Sequence, residues 1–291
     1  MRRSRLPFIV LVLSSTQAWI SPSLVPSRRS TTTDPPNGNV QIVILPGFGN
    51  DSNDYRLPQA PQGSLVQSLH KRGWEDVQVL PVNRLDWLRV FINGLFDIQF
   101  WLGRAEATNP AFRWYLERVG AAIDAAANDE KNVLLVCHSA GGWLARAALG
   151  YQVVQNTTSR VCGLVSLGSP HVPPPVDRMD MTRGALRATH TKFPGTFHNQ
   201  TMFYVTVAGD AIQGIPPNKE EERSSAGFLG PPSATEFAFN SYEAVCGEGT
   251  AIGDGVVPIS HAHLDGATQL TLQGIFHSIN VSTPITTLSP R

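Results

Sequence analysis

Ser139 sits within Val133-Leu134-Leu135-Val136-Cys137-His138-Ser139-Ala140-Gly141-Gly142-Trp143, where an apolar run gives way to small residues. Apolar positions at helical spacing follow, at Trp143, Leu144, Ala147 and Ala148. The run reads as a buried strand, an abrupt turn and a helix, with the serine at the apex. A plain serine-glycine turn closing an ordinary strand is the less demanding reading. A serine hydroxyl is a poor nucleophile until a general base takes its proton, and that base needs a carboxylate to hold its tautomer and stabilise its cation. Eight histidines could supply the base. Of these, His277 follows the last predicted strand in Gly274-Ile275-Phe276-His277-Ser278. Two carboxylates compete for the third place. Asp210 lies just past a predicted strand, and Asp254 lies in the glycine-flanked turn Gly253-Asp254-Gly255-Val256-Val257-Pro258.

These residues need elements to position them. Residues 40–45 (VQIVIL) form a continuous apolar run that ends in Pro46-Gly47-Phe48-Gly49-Asn50, the pattern of a parallel core strand and a bending loop. Further strands are predicted at 77–82, 161–167, 202–207 and 270–272. Helical spacing recurs at 64–72, which stops at Gly73, and through Phe112, Leu116, Val119 and Ile123. Strands alternating with helices predict an α/β fold: a mostly parallel sheet of about six strands with helices on both faces. Function then belongs at the carboxyl ends of the strands, where Phe48, Ser139, Asp210 and His277 all fall. The stretch 86–102 carries Trp87, Phe91, Leu95, Phe96, Phe100 and Trp101. Such density predicts a buried helix or cap; the alternatives are an acyl-binding wall or a membrane-touching surface. His171, in Gly168-Ser169-Pro170-His171, reads as a loop histidine near the site. Residues 211–250, rich in Gly, Pro and charge, form a long excursion and a candidate lid.

Composition bounds the rest. The 291 residues are 42% hydrophobic and 16% charged, enough for one sizeable core in a single domain, here residues 40–291. Formal net charge is zero and no basic run invites a polyanion, so no nucleic-acid partner is expected. Three irregularly spaced cysteines give neither a disulfide framework nor a metal pattern. At the N-terminus, Met1-Arg2-Arg3-Ser4-Arg5 and an apolar run over 6–13 have signal-peptide architecture, with a small-residue cleavage site before Trp19. Residues 19–39 are rich in Ser, Thr and Pro with a single acid, Asp34. Together, signal peptide 1–18 and transit-like 19–39 resemble the bipartite plastid leaders of algae with secondary plastids, such as diatoms. Plain secretion is the alternative, and N-x-T sequons at Asn156 and Asn199 would then be available for glycosylation.

The turn around Ser139 resembles the nucleophile elbow of the α/β-hydrolases. The elbow calls for small residues two before and two after the serine. Gly141 meets this; Cys137, where glycine is usual, does so only roughly. The resemblance implies an oxyanion hole made by the backbone N–H groups of Phe48 and Ala140. It also implies the chain order serine, acid, histidine, which favours His277. His138 precedes the serine, His171, His190 and His198 precede the acids, and His261 and His263 sit too close to the nearer acid. Asp254-Gly-Val-Val-Pro, then Leu264-Asp265-Gly266-Ala267, then a strand and His277, is similar to small bacterial lipases and to lipase-like hydrolases of plants and cyanobacteria. Gly168-Ser169-Pro170-His171 and Pro46-Gly47-Phe48-Gly49 look like that group too, over roughly residues 40–280. In those proteins the aspartate of the D-x-x-V turn pairs with the histidine. Asp254 is therefore the implied acid, and Asp210 the alternative acid or a structural residue at the base of the excursion. Relatives also place a long helix after the histidine, for which residues 278–291 leave little room. The resemblance implies a serine hydrolase of carboxylic esters, lipid acyl esters foremost, working without a cofactor or metal and with possible peripheral membrane contact. The same residues could instead serve an acyltransferase, or persist as a vestigial triad in a lipid-binding protein.

Overall fold

The computed structural model describes residues 39–58, 63–152, 158–217 and 233–278. The predicted leader, apart from Asn39, lies outside the described residues, as do the sequon at Asn156 and residues 218–232 of the excursion. The strands are β1 (Val40–Leu45), β2 (Val77–Val79), β3 (Asn132–His138), β4 (Val161–Leu167), β5 (Phe203–Gly209), β6 (Ile212–Gln213), β7 (Ile252–Gly253) and β8 (Thr268–Leu272). The helices are α1 (Asn53–Arg56), α2 (Leu65–His70), α3 (Leu88–Leu95), α4 (Ile98–Trp101), α5 (Pro110–Asn128), α6 (Ala140–Gly150), α7 (Ala185–Lys192), α8 (Ala234–Cys246) and α9 (Ile259–Ala262). Six strands form one sheet in the order β2-β1-β3-β4-β5-β8, with every neighbouring pair parallel. β6 and β7 pair separately as a short antiparallel ladder.

The strands read as unbroken apolar runs because both faces of the sheet are covered. On one face Ile42, Ile44, Leu134, Val136, Val165 and Val205 pack with Tyr55, Leu69 and Trp74. On the other, Val43, Leu45, Leu135 and Cys137 meet Tyr115, Leu116, Val119 and Ile123 of α5 and Trp143, Leu144 and Ala147 of α6. Each fully buried large aliphatic contributes roughly 1.5–3 kcal/mol relative to exposure. The chain enters at β1, moves out to β2, then crosses back to β3. The order of winding therefore reverses between β1 and β3, which opens a crevice at their carboxyl ends.

Two expectations are corrected here and one is sharpened. β2 is shorter than residues 77–82, although Leu80 and Val82 remain buried beyond it. His171 lies in the loop after β4, as expected, and is more deeply held than a loop histidine need be. It is fully buried, with Nε2 2.8 Å from Ser166 Oγ, and the guanidinium of buried Arg146 donates to its carbonyl. Burial and the Arg146 charge hold its pKa well below the ordinary histidine value. The stretch 86–102 is not one buried helix. It is a 3-10 turn (Arg84–Trp87) followed by α3 and α4, whose apolar residues mostly face solvent. Gly94 explains the break: a Cβ there would fall 2.8 Å from the Phe100 ring, so the ring can fold back over the inner side of α3.

Candidate active site

The site is assembled from the ends of β1, β3 and β8 and from the β7 turn. β3 delivers Ser139, whose backbone has φ 51° and ψ −126°, a left-handed conformation that non-glycine residues rarely adopt. The Ser139 N–H donates to Leu167 O at 3.0 Å, which ties the apex to the end of β4. α6 leaves the turn immediately, so Gly141 passes directly over β1. A Cβ at Gly141 would lie 2.5 Å from Leu45 O. The demand for a small residue at this position thus comes from β1 rather than from Cys137, which packs into the core opposite Leu45.

His277 lies between the other two residues. Its Nδ1 is 2.8 Å from Asp254 Oδ2 and its Nε2 is 2.9 Å from Ser139 Oγ. A carboxylate beside Nδ1 keeps the proton there, leaving Nε2 free to accept from the serine hydroxyl. Asp254 is itself held. Oδ1 accepts from the N–H groups of Val256 (3.0 Å) and Val257 (2.7 Å), and its carbonyl accepts from His277 N–H at 2.8 Å. The turn is propped by Tyr242 of α8, whose hydroxyl accepts from Gly255 N–H at 2.8 Å and donates to Ile212 O. The described ends of the 211–250 excursion are therefore framework as well: β6 pairs with β7, and α8 buries Tyr242. Asp210 is placed elsewhere. Its Oδ1 accepts from Gly274 N–H at 2.8 Å, bracing the turn after β8.

The loop after β1 lies against the serine: a Cβ at Gly47 would sit 2.6 Å from Ser139 Cβ. The Tyr115 hydroxyl of α5 donates to Pro46 O at 2.7 Å and anchors the loop from below. Neither Phe48 N–H nor Ala140 N–H donates to another group among the described residues. Ala140 opens α6, where a helix leaves its first N–H groups without intrahelical partners. The Phe48 ring packs on Trp87 and Phe91, with centroids 5.0 and 6.2 Å apart.

Sequence reasoning set His138 aside because it precedes the serine, and it missed Tyr55. The two form a bridge beneath the site. The Tyr55 hydroxyl accepts from Gly47 N–H and from Asn50 Nδ2, both at 3.0 Å, and lies 2.9 Å from His138 Nδ1. His138 Nε2 lies 2.9 Å from the carbonyl of His277. A carbonyl only accepts, so Nε2 carries the proton and Nδ1 accepts from Tyr55. The ring stays neutral because burial first, and the nearby His277 ring second, lower its pKa from 6.5 to about 4. The loop next to Ser139 is thus linked through two side chains to the backbone of His277. No sequence period marks Tyr55; the nearest signal was a lone aromatic just after the glycine loop.

An open cavity of about 530 Å³ lies one loop away, lined by Asp51, Asn83, Arg84, Leu85, Asp86 and Arg89. Its charged lining makes it a poor acyl pocket, and none of these residues belongs to the serine-histidine-aspartate constellation. Among the described residues, no group of three or more His, Cys, Asp or Glu side chains is arranged to hold a metal ion.

Comparison with known proteins agrees with this architecture. A family model described as "Alpha/beta hydrolase family" matches residues 42–262, which span the Gly47 loop, Ser139 and Asp254 and stop short of His277. No curated protein matches the chain. Among solved structures, it is similar to the lipase BlEst2 of Bacillus licheniformis in mature form, at 16% identity over 86% of this chain and 89% of that one, TM-score 0.47. It is also similar to the metagenomic carboxyl esterase MGS0156, at 12% identity over 89% and 70%, TM-score 0.48. A third similar structure is the phospholipase PlaB of Legionella pneumophila, at 12% identity over 77% and 45%, TM-score 0.41. With a parallel six-stranded sheet, a strained serine between β3 and α6, and a family match over most of its length, the chain belongs to the alpha/beta hydrolase family.

Proposed function

We propose that the protein is a serine hydrolase of carboxylic esters, with lipid acyl esters as its substrate class. Ser139 attacks the ester carbonyl, His277 takes its proton and returns it to the leaving alcohol, and Asp254 orients and stabilises the imidazolium. The N–H groups of Phe48 and Ala140 receive the oxyanion; a donor of this kind contributes roughly 10²–10³ in rate in a comparable hydrolase. Water then attacks the acyl-serine, with His277 as base again. The observation that carries the reading is the single imidazole bonded to a strained serine on one side and to a doubly held carboxylate on the other. The apolar surroundings of Phe48, Trp87 and Phe91 favour an acyl substrate over a polar one.

The test is labelling by a fluorophosphonate probe together with hydrolysis of a soluble short-chain ester. Wild type should label and turn over. Ser139→Ala should do neither, with a loss of order ~10⁶ in kcat as in another serine hydrolase. An unlabelled wild type, or a fully active Ser139→Ala, would sink the proposal. For residues 1–39 we propose plastid targeting, the Ser/Thr/Pro-rich stretch after Trp19 being the supporting feature. A fluorescent fusion of this leader should enter the plastid. Fluorescence confined to the secretory pathway, with glycan on Asn199, would favour secretion instead.

A further inference from the structure

The segment between β2 and α5 has its amphipathicity turned outward. In α3, Leu88, Phe91, Ile92 and Leu95 recur at the i, i+3, i+4, i+7 spacing of a buried stripe. All four are exposed, while Val90 and Gly94 face inward. α4 and its end repeat the reversal at Ile98, Trp101 and Leu102, and Phe96 between the helices is 88% exposed. Other helices do not behave this way: α2, α5, α6 and α7 carry no exposed large apolar side chain, and α8 carries one, Phe237. Isolated exposed apolar residues need no explanation, but a contiguous patch marks an interaction surface.

The charges around this patch are sorted by sign. The Arg84 side chain is 62% exposed and its partner Asp54 only 4%; Arg89 is 51% exposed and its partner Asp86 only 11%. Asp97 is buried, capping α4 and accepting from Asn109, whereas Arg104 is exposed. The outermost charge is therefore positive, beside an apolar edge that includes a tryptophan.

We propose that α3, α4 and the connecting Phe96 form a docking face for a bilayer surface bearing anionic headgroups. The stripe enters the acyl boundary and the arginines lie among the phosphates. Trp101 suits the headgroup level, where an amphipathic ring has both an apolar and a polar neighbour. A second copy of this chain fits worse, because a symmetric contact sets a patch against itself and would bring like charges together. The face continues without a break into the candidate site. Phe91 packs on Phe48, and Trp87 Nε1 donates to Asn50 O, both in the loop beside Ser139. An ester lying in the docked leaflet would thus reach the serine along an apolar path. This last step rests on the proposed ester-hydrolase function; the docking itself does not.

The experiment compares the full chain with Phe96→Glu/Ile98→Glu. These side chains project into solvent, and a glutamate opening α4 suits the positive end of a helix. Cosedimentation would use vesicles of phosphatidylcholine alone and of phosphatidylcholine mixed with phosphatidylglycerol. Wild type should bind the mixed vesicles at least tenfold better than the neutral ones. The double variant should lose at least tenfold of that binding with its melting temperature kept, and its ratio of vesicle-lipid to soluble-ester hydrolysis should fall by a similar factor. Equal vesicle binding by both proteins overturns the proposal, because attachment then runs through another part of the chain. So does a wild type that ignores vesicles, or one that is a dimer which the variant dissolves into monomers. Normal binding with no ester turnover by wild type would leave docking standing and remove the ester-hydrolase reading.

Discussion

At the residue scale, Asp254 and Asp210 differ in what they hold, and that difference is measurable. Asp254→Asn presents an amide where His277 Nδ1–H needs an acceptor, which favours the wrong tautomer. In a serine protease the equivalent change lowers kcat by ~10⁴, and a loss of that order is expected here on a soluble short-chain ester. Asp210→Asn keeps an oxygen for Gly274 N–H and should stay within about tenfold of wild type. A large loss at Asp210 alone would reverse the assignment. His138 adds a pH signature. Its folded pKa, about 4, lies below the ordinary 6.5, so the unfolded chain binds the proton more tightly. Its contribution to stability is therefore present above pH 6.5 and is lost as pH falls towards 4, roughly 3 kcal/mol over the whole window. His171, also held low, acts in the same direction. His138→Gln keeps a donor for the His277 carbonyl but does not titrate. Urea unfolding at pH 7 and pH 4.5 should then show a smaller stability loss in the variant than in wild type, by at least about 1 kcal/mol. An unchanged loss would mean that His138 is already protonated in the folded protein.

At the element scale, the contact between α6 and β1 fixes how close the helix can lie. Gly141→Ala puts a methyl against the Leu45 carbonyl, backbone against backbone, with no flexible side chain to yield. A destabilisation of about 1–3 kcal/mol is expected, with activity falling further because Ser139 shifts with the helix. Thermal melting and ester turnover of the variant check both, and a neutral effect would mean the elbow has slack. Much of this architecture was legible in the residues. β1 and β4 coincide with their apolar runs, because a strand covered on both faces has no alternation to obscure it. The elbow was readable from strand, small residues and helix in succession. The stretch 86–102 was not, because a density of large apolar residues does not say which way they face. For His171 the glycine and proline beside it signal the loop correctly, but not the burial, which depends on Arg146 and Ser166 as partners. The Tyr55–His138 bridge stayed invisible because it joins residues 83 apart through single polar atoms, which no period records.

At the scale of the whole molecule, β8 is the strand that brings the chain to His277, and it stands at the edge of the sheet. Among the described residues it pairs with β5 alone over five residues, three of them exposed, whereas β3 lies between two partners and is buried along most of its length. The nucleophile is thus anchored in a buried central strand and the base hangs from an exposed edge strand. Edge elements open at lower free energy than the global transition. Heat should then switch the protein off while it is still folded. Turnover of a soluble ester would fall several degrees below the calorimetric midpoint and return on cooling, and amides of β8 would exchange with solvent faster than those of β3. Coincident loss of turnover and of heat-capacity structure would mean instead that the edge opens only with the whole. If the two separate, working temperature is set by one five-residue strand, and any contact that clamps it raises the upper limit of activity without altering the reacting groups.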